Sequence, residues 1–303
     1  GVVMSPLIFA VLVACAQNAP KSWEVPVGAP QVRQAVEKSL VFLEKDGLAW
    51  ETTKCVSCHH GPWLMWSSYE AKKHGFSVND KSLEKVRSTM LKAYSKHPTL
   101  RPTNRDVLNE LSLNSIYLTF GMGAAGEPDA ETAKFFDKAA AHLLEQQQEN
   151  GSWKVFITKT PDGRMAPLID HDDVTTLWAL LALNYREPVG ISKEALAQSK
   201  EKGLKFLSDN PPSEDLQSLV LRILLNKRLD KKEVVQTLVK ELLTLQRDDG
   251  GWSQAKKLKS DALGTGQALV ALTTAGLTAK EPAIRRRSDG LHEALLGNGR
   301  CNS

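Results

Sequence analysis

The feature that most restricts the fold of this chain is a repeated plan of helix, Gly and Trp turn, polar loop and second helix. VVQTLVKELLTLQRDDGGWSQ, Val234 to Gln254, runs into DALGTGQALVALTTAGL, Asp261 to Leu277. FFDKAAAHLLEQQQENGSW, Phe135 to Trp153, precedes DHDDVTTLWALLAL, Asp170 to Leu183. AVEKSLVFLEKDGLAW, Ala35 to Trp50, precedes CHHGPWLMWSSYEAKKHG, Cys58 to Gly75. Two further copies lack the turn: LEKVRSTMLKAY with DVLNELSLNSIYLTFGMG, and KEKGLKFL with SEDLQSLVLRILLN. Self-similarity on this scale marks an architecture in which each repeat is one supersecondary unit, here a helical hairpin.

The first helix of each pair carries apolar residues at steps of three and four, as in Val235, Leu238, Leu242 and Leu245, so one stripe faces inward. The second helices, such as LWALLALN and QALVALTTAGL, are apolar nearly all round and belong in the interior. One hairpin alone cannot bury both. Stacking hairpins side by side, apolar helices inside and amphipathic helices outside, solves this, and closing the stack into a ring removes its ends. Gly at the end of an outer helix supplies the left-handed turn, and the Trp after it caps the joint between neighbours. Strand patterning is nearly absent, so the class is all-α.

LQRDDGGW, Leu245 to Trp252, and LEQQQENGSW, Leu144 to Trp153, resemble the Gln and Trp repeats of squalene and hopene cyclases. The hairpin plan is similar to the α/α toroid that those enzymes share with protein prenyltransferase β subunits, over most of residues 30–285. The resemblance implies a terpenoid cyclase/prenyltransferase-like toroid domain at 30–285; it is specific for fold, because toroids host unrelated functions. The order of segments also resembles exported bacterial proteins of planctomycete type, in which a CxxCHH segment precedes such repeats. Toroids of this kind close with about six hairpins. Here a sixth begins near Ala283 and gives way to GLHEALLGNGRCNS, which predicts a ring incomplete at its C-terminal end and an irregular tail over 286–303. Cys301 in that tail is assigned no role.

The residues richest in chemistry lie in TTKCVSCHHGPWLMW, Thr52 to Trp66, where two cysteines and two histidines fall between Cys55 and His60. The whole chain has only four cysteines and seven histidines, so the cluster is not scatter. CxxCH is the attachment pattern of c-type haem: Cys55 and Cys58 add to the vinyl groups and His59 is the axial ligand. Met65, Met90, Met122, Met165 and His171 are available for the distal side, and Trp63, Met65 and Trp66 either wall a macrocycle or are ordinary core. Zinc on Cys55, Cys58, His59 and His60 is the alternative cofactor; adjacent histidines suit one tetrahedral ion poorly, and a further ligand such as Asp172 would be needed. A Cys55–Cys58 disulfide, or a thiol redox pair, is the third reading, favoured by an oxidising compartment.

That compartment is expected from residues 1–20, where an apolar run from Pro6 to Ala14, too short to span a bilayer, precedes Ala14-Cys15-Ala16. Cleavage after Ala16 would release a periplasmic protein. Leu12-Val13-Ala14-Cys15 equally resembles a lipobox, which would acylate Cys15 and leave a membrane-attached lipoprotein. A net charge of +4 from 39 basic and 35 acidic residues is too balanced for a nucleic-acid partner.

Asp170-His171-Asp172-Asp173 reads DxDD and resembles the acid motif of class II terpene cyclases. By that resemblance Asp172 would be the proton donor, flanked by Asp170 and Asp173, which raise its pKa by like-charge proximity. Val174 stands where the family has Thr, 6% aromatic residues is thin for a cation-stabilising cavity, and those enzymes use two helical domains. The plainer reading is that these aspartates cap a helix, as expected also of Asp106 and Asp261. No GxSxG, HExxH or GxxxxGK occurs. The expectation is therefore an exported haem-bearing toroid for electron transfer or redox sensing, its partner a redox protein or an apolar isoprenoid-like ligand. The competitors are a cyclase using Asp172, and an interaction scaffold stapled by a disulfide or zinc.

Overall fold

The structure, a computed structural model, describes residues 29–50, 60–95, 111–154, 171–278 and 280–284. Among these every regular element is an α-helix and no strand occurs. The helices are α1 (Ala29–Trp50), α2 (His60–Lys73), α3 (Asp80–Ser95), α4 (Leu111–Gly123), α5 (Ala130–Gln146), α6 (Asp172–Leu183), α7 (Lys193–Asp209), α8 (Leu216–Arg228), α9 (Lys232–Thr244) and α10 (Ala262–Ala275). They follow one another in the order read from sequence, and the third and fifth sequential pairs, α5 with α6 and α9 with α10, pack together as hairpins. No helix of the described residues is long and apolar enough to cross a membrane.

Contacts divide the chain into two compact units. One holds Gly47–Trp66 and Asp80–Ser213. In it α3 packs on α5, α4 on α5 and α6, and α6 on α5 and α7. The inner helix α6 is buried at every position from Asp173 to Leu183, whereas the outer helix α5 buries a stripe at Thr132, Phe135, Phe136, Ala139, Ala140, His142 and Leu143. This is the division that the apolar periodicity predicts. The Arg87 guanidinium ties α3 to the start of α5, donating to Asp129 at 2.8 Å and to the Thr132 hydroxyl at 2.9 Å while Glu84 takes its other edge.

The other unit holds α1 as far as Asp46, Ser67–Asn79 and the chain from Glu214 onward. Here α8, α9 and α10 pack on one another around Leu219, Ile223, Leu242, Trp252, Leu269 and Leu272. Val36, Leu40 and Ala71 form a smaller cluster, where α1 meets the end of α2 under Phe76 and Val78. In α9, Val235 and Leu242 are buried and Leu238 is partly so, but Leu245 is 41% exposed: the helix ends at Thr244, and Leu245, its C-cap, lies past the stripe.

The two Gly and Trp turns are the same structure built twice. Trp153 and Trp252 are both fully buried. Each indole N–H donates back to its own outer helix, to the Leu143 carbonyl at 2.7 Å and the Leu242 carbonyl at 2.9 Å. Each backbone N–H donates forward to the inner helix, to the hydroxyls of Thr176 and Thr265, both at 3.1 Å. Gln147 donates to the Gly151 carbonyl and to Ser199 of α7; Gln246 does the same to Gly250 and Ala283. Gly151 and Gly250 sit at φ 89° and 74°, a left-handed backbone that glycine adopts at no steric cost. The first copy departs from this: Gly47 lies inside α1, which runs on to Trp50. Its missing side chain makes room for a neighbour, since a Cβ there would stand 2.6 Å from Leu64 Cδ2.

Candidate functional site

Cys55, Cys58 and His59 lie outside the described residues, as do Cys15, Asp106, Met165, Asp170 and Cys301. His60, half-buried, is the first residue of α2. Pro62 follows in the first helical turn, where a missing backbone N–H is no loss. The start of this helix is closely gripped. A Cβ on Gly121 of α4 would stand 2.7 Å from the Pro62 carbonyl oxygen and 3.0 Å from its Cα, so the two backbones meet directly. A Cβ on Gly61 would stand 3.0 Å from Cε of Met90 on α3. Three glycines, at 47, 61 and 121, thus let α1, α3 and α4 close on the first turns of α2.

From that start projects a cluster of aromatic rings. Trp63 and Trp66, both half-buried, stack at 5.3 Å and 18°. Trp66 stacks in turn on Phe120 at 5.3 Å, and Phe120 meets Tyr185 edge-on at 5.4 Å. Trp178 of α6 sets its edge against Trp63, Tyr117 and Phe120 at 6.5, 5.6 and 5.3 Å. Such contacts contribute about 0.5–1.5 kcal/mol per pair beyond area burial. The Trp178 indole N–H is buried and meets no acceptor. Met65, next to these tryptophans in sequence, is fully buried and belongs to the core. Met122 is buried too, and Met90 is occupied in packing on Gly61.

Sequence reasoning singled out Trp63 and Trp66 but missed Tyr117, Phe120, Trp178 and Tyr185, because their adjacency is created by hairpin packing. One trace was available: Trp66 stands as far after His60 as Trp178 stands after Asp172, the same register on two inner helices.

The acidic segment is arranged differently from a set of caps. The N-cap of α6 is His171, extended, exposed and without a side-chain cap bond. Asp172 is half-buried in the first turn, where a carboxylate complements the helix dipole. Asp173 is only 6% exposed, and its Oδ2 accepts from the Ser213 amide at 3.1 Å and hydroxyl at 3.2 Å, which joins α6 to the segment after α7. Asp261 does cap: Oδ1 accepts from the Gly264 amide at 2.8 Å and Oδ2 from the Gln254 amide at 3.1 Å. Among the described residues no group of three His, Cys, Asp or Glu side chains is placed to hold a metal ion. No protein-family model and no curated protein matches the chain.

Proposed function

We propose that this chain is an exported c-type haem protein on an α/α-toroid scaffold, working in electron transfer or redox sensing. The observation that carries the reading is CVSCHH, Cys55 to His60, set in the sequence directly before α2. When bound, the haem supplies one-electron chemistry at its iron. The thiols of Cys55 and Cys58 would hold it as thioethers, and the His59 imidazole would be its axial ligand. The described surroundings suit such a group. Trp63 and Trp66, stacked on each other and half-buried within two turns of His60, put aromatic surface next to the attachment residues in sequence, of the kind that lines a porphyrin. The grip of Gly47, Gly61 and Gly121 fixes the helix that follows the attachment residues, which favours a preorganised site.

The ring is part of the proposal. Within each unit, inner helix packs on inner helix, α4 on α6 and α8 on α10, and outer on outer, α3 on α5, as side-by-side stacking of hairpins requires. Export, with release by cleavage after Ala16 or acylation at Cys15, agrees with an attachment chemistry that takes place outside the cytoplasm. The partner would be a redox protein or an apolar isoprenoid-like molecule. A class II cyclase using Asp172 is the second reading. The aromatic cluster favours it by gathering rings that composition alone makes scarce, while the commitment of Asp173 to Ser213 weighs against it.

The test is intact-mass measurement of the full chain produced with cytochrome c maturation factors. One haem of added mass, lost in Cys55→Ala/Cys58→Ala, is the expected result. A protein lighter by two hydrogens means the disulfide instead, and a native mass that carries zinc means the metal site; either overturns the haem reading.

A further inference from the structure

We propose that the loop Gln254-Ala255-Lys256-Lys257-Leu258-Lys259-Ser260, between Trp252 and α10, is a docking site for an anionic lipid surface. The loop presents one large apolar side chain among cations: Leu258 is 50% exposed, and Lys256, Lys257 and Lys259 around it are exposed. It is held in shape from below. The Leu258 amide donates to the Ala255 carbonyl at 3.0 Å, and the Arg247 guanidinium donates to the Ser253 hydroxyl at 2.9 Å and the Lys256 carbonyl at 3.2 Å. Ser260 donates to Asp249 at 2.9 Å, and a Cβ on Gly251 would stand 2.8 Å from Ser260 Cβ.

Charge is distributed unevenly over this turn. Asp249 and Asp261 are turned inward, accepting from Gly251, Ser260, Gln254 and Gly264. Lys256 pairs with Glu214 at 3.0 Å, whereas Lys257 and Lys259 make no ion pair among the described residues. Asp248, exposed on the preceding turn, offsets part of the charge. A leucine flanked by unpaired lysines matches the boundary of an anionic bilayer, where the apolar group enters the acyl region and the ammonium groups stay at the phosphates. A protein partner fits less well. Stable protein interfaces bury about 800 Å² per side, and a single leucine on a tight turn offers far less apolar area than that, whereas a bilayer demands no shape match.

The experiment is co-sedimentation of the full chain with phosphatidylcholine vesicles containing or lacking phosphatidylglycerol, at low and raised salt. The wild type is expected to partition onto the anionic vesicles and to be released by salt. Lys257→Gln/Lys259→Gln should weaken this at least ten-fold, on a scale of about five-fold per lysine. Leu258→Gln should weaken it several-fold while leaving the salt dependence. All three positions are exposed, so unchanged thermal melting separates lost binding from lost fold. Equal binding to neutral vesicles, or equal binding by wild type and the lysine variant, overturns the proposal. So does capture of polyglutamate without capture of vesicles, which would assign the surface to an acidic protein.

Discussion

Replacing Trp153 by Phe keeps most of the buried ring and removes one donor, and the twin turns say what that should cost. The lost bond is the 2.7 Å contact from the indole N–H to the Leu143 carbonyl, at a position without solvent access. Leaving that carbonyl unpaired costs about 1–3 kcal/mol. The smaller ring forfeits roughly a further 1 kcal/mol of apolar contact. The expected loss is therefore about 2–4 kcal/mol. Trp252→Phe removes the equivalent 2.9 Å bond to Leu242 from an equally buried site, but the Leu242 carbonyl also accepts from the Leu245 amide at 3.2 Å and so keeps a partner; this variant should cost less, about 1–2 kcal/mol. Urea unfolding followed by far-ultraviolet circular dichroism reads both, with unequal m-values reporting whether the two units unfold together. A loss below about 1 kcal/mol in Trp153→Phe would refute the claim that the indole N–H ties this turn to its outer helix.

Gly121→Ala drives a Cβ into the Pro62 carbonyl, and since both atoms are backbone the helices must separate. It should cost about 1–3 kcal/mol and reduce the near-ultraviolet dichroism of the aromatic cluster; an unchanged spectrum would count against the grip on α2. Asp261→Ala removes a cap that holds two amides and should cost about 1–2 kcal/mol in urea unfolding, whereas Asp172→Ala should cost less than half of that. The Asp129 carboxyl is held below its ordinary range by the Thr132 amide first, then the Thr132 hydroxyl, with the Arg87 guanidinium adding to the effect. A depressed folded-state pKa gives stability that is present above the unfolded value, about 3.9, and is lost as pH falls through the folded one. The melting-temperature gap between wild type and Asp129→Asn should thus narrow on acidification; a constant gap would exclude the charge as its source.

The helices and the two Gly and Trp turns were legible because their signals are local. A stripe at Val235, Leu238 and Leu242, a helix apolar on all sides from Val174 to Leu183, and Gly before Trp each act within a turn or two of chain. Where the same signs depend on distant neighbours they mislead. Gly47 resembles Gly151 in sequence, yet serves the approach of Leu64 and leaves its helix intact. Asp172 holds the register of Asp261, four residues before Thr176 and Thr265, yet α6 starts from His171 without a side-chain cap, and the next carboxylate, Asp173, goes to Ser213. The aromatic cluster was the least legible part. Tyr117, Phe120 and Trp178 in their helices, and Tyr185 in the turn after α6, are unremarked in the sequence and join Trp63 and Trp66 only when α2, α4 and α6 come together.

The most direct measurement is the visible spectrum of the full chain, matured in an exporting host and then extracted with acidified organic solvent. A thioether-bound porphyrin predicts a Soret band that stays with the protein after extraction. A colourless protein, or colour that leaves with the solvent, contradicts covalent haem at Cys55 and Cys58.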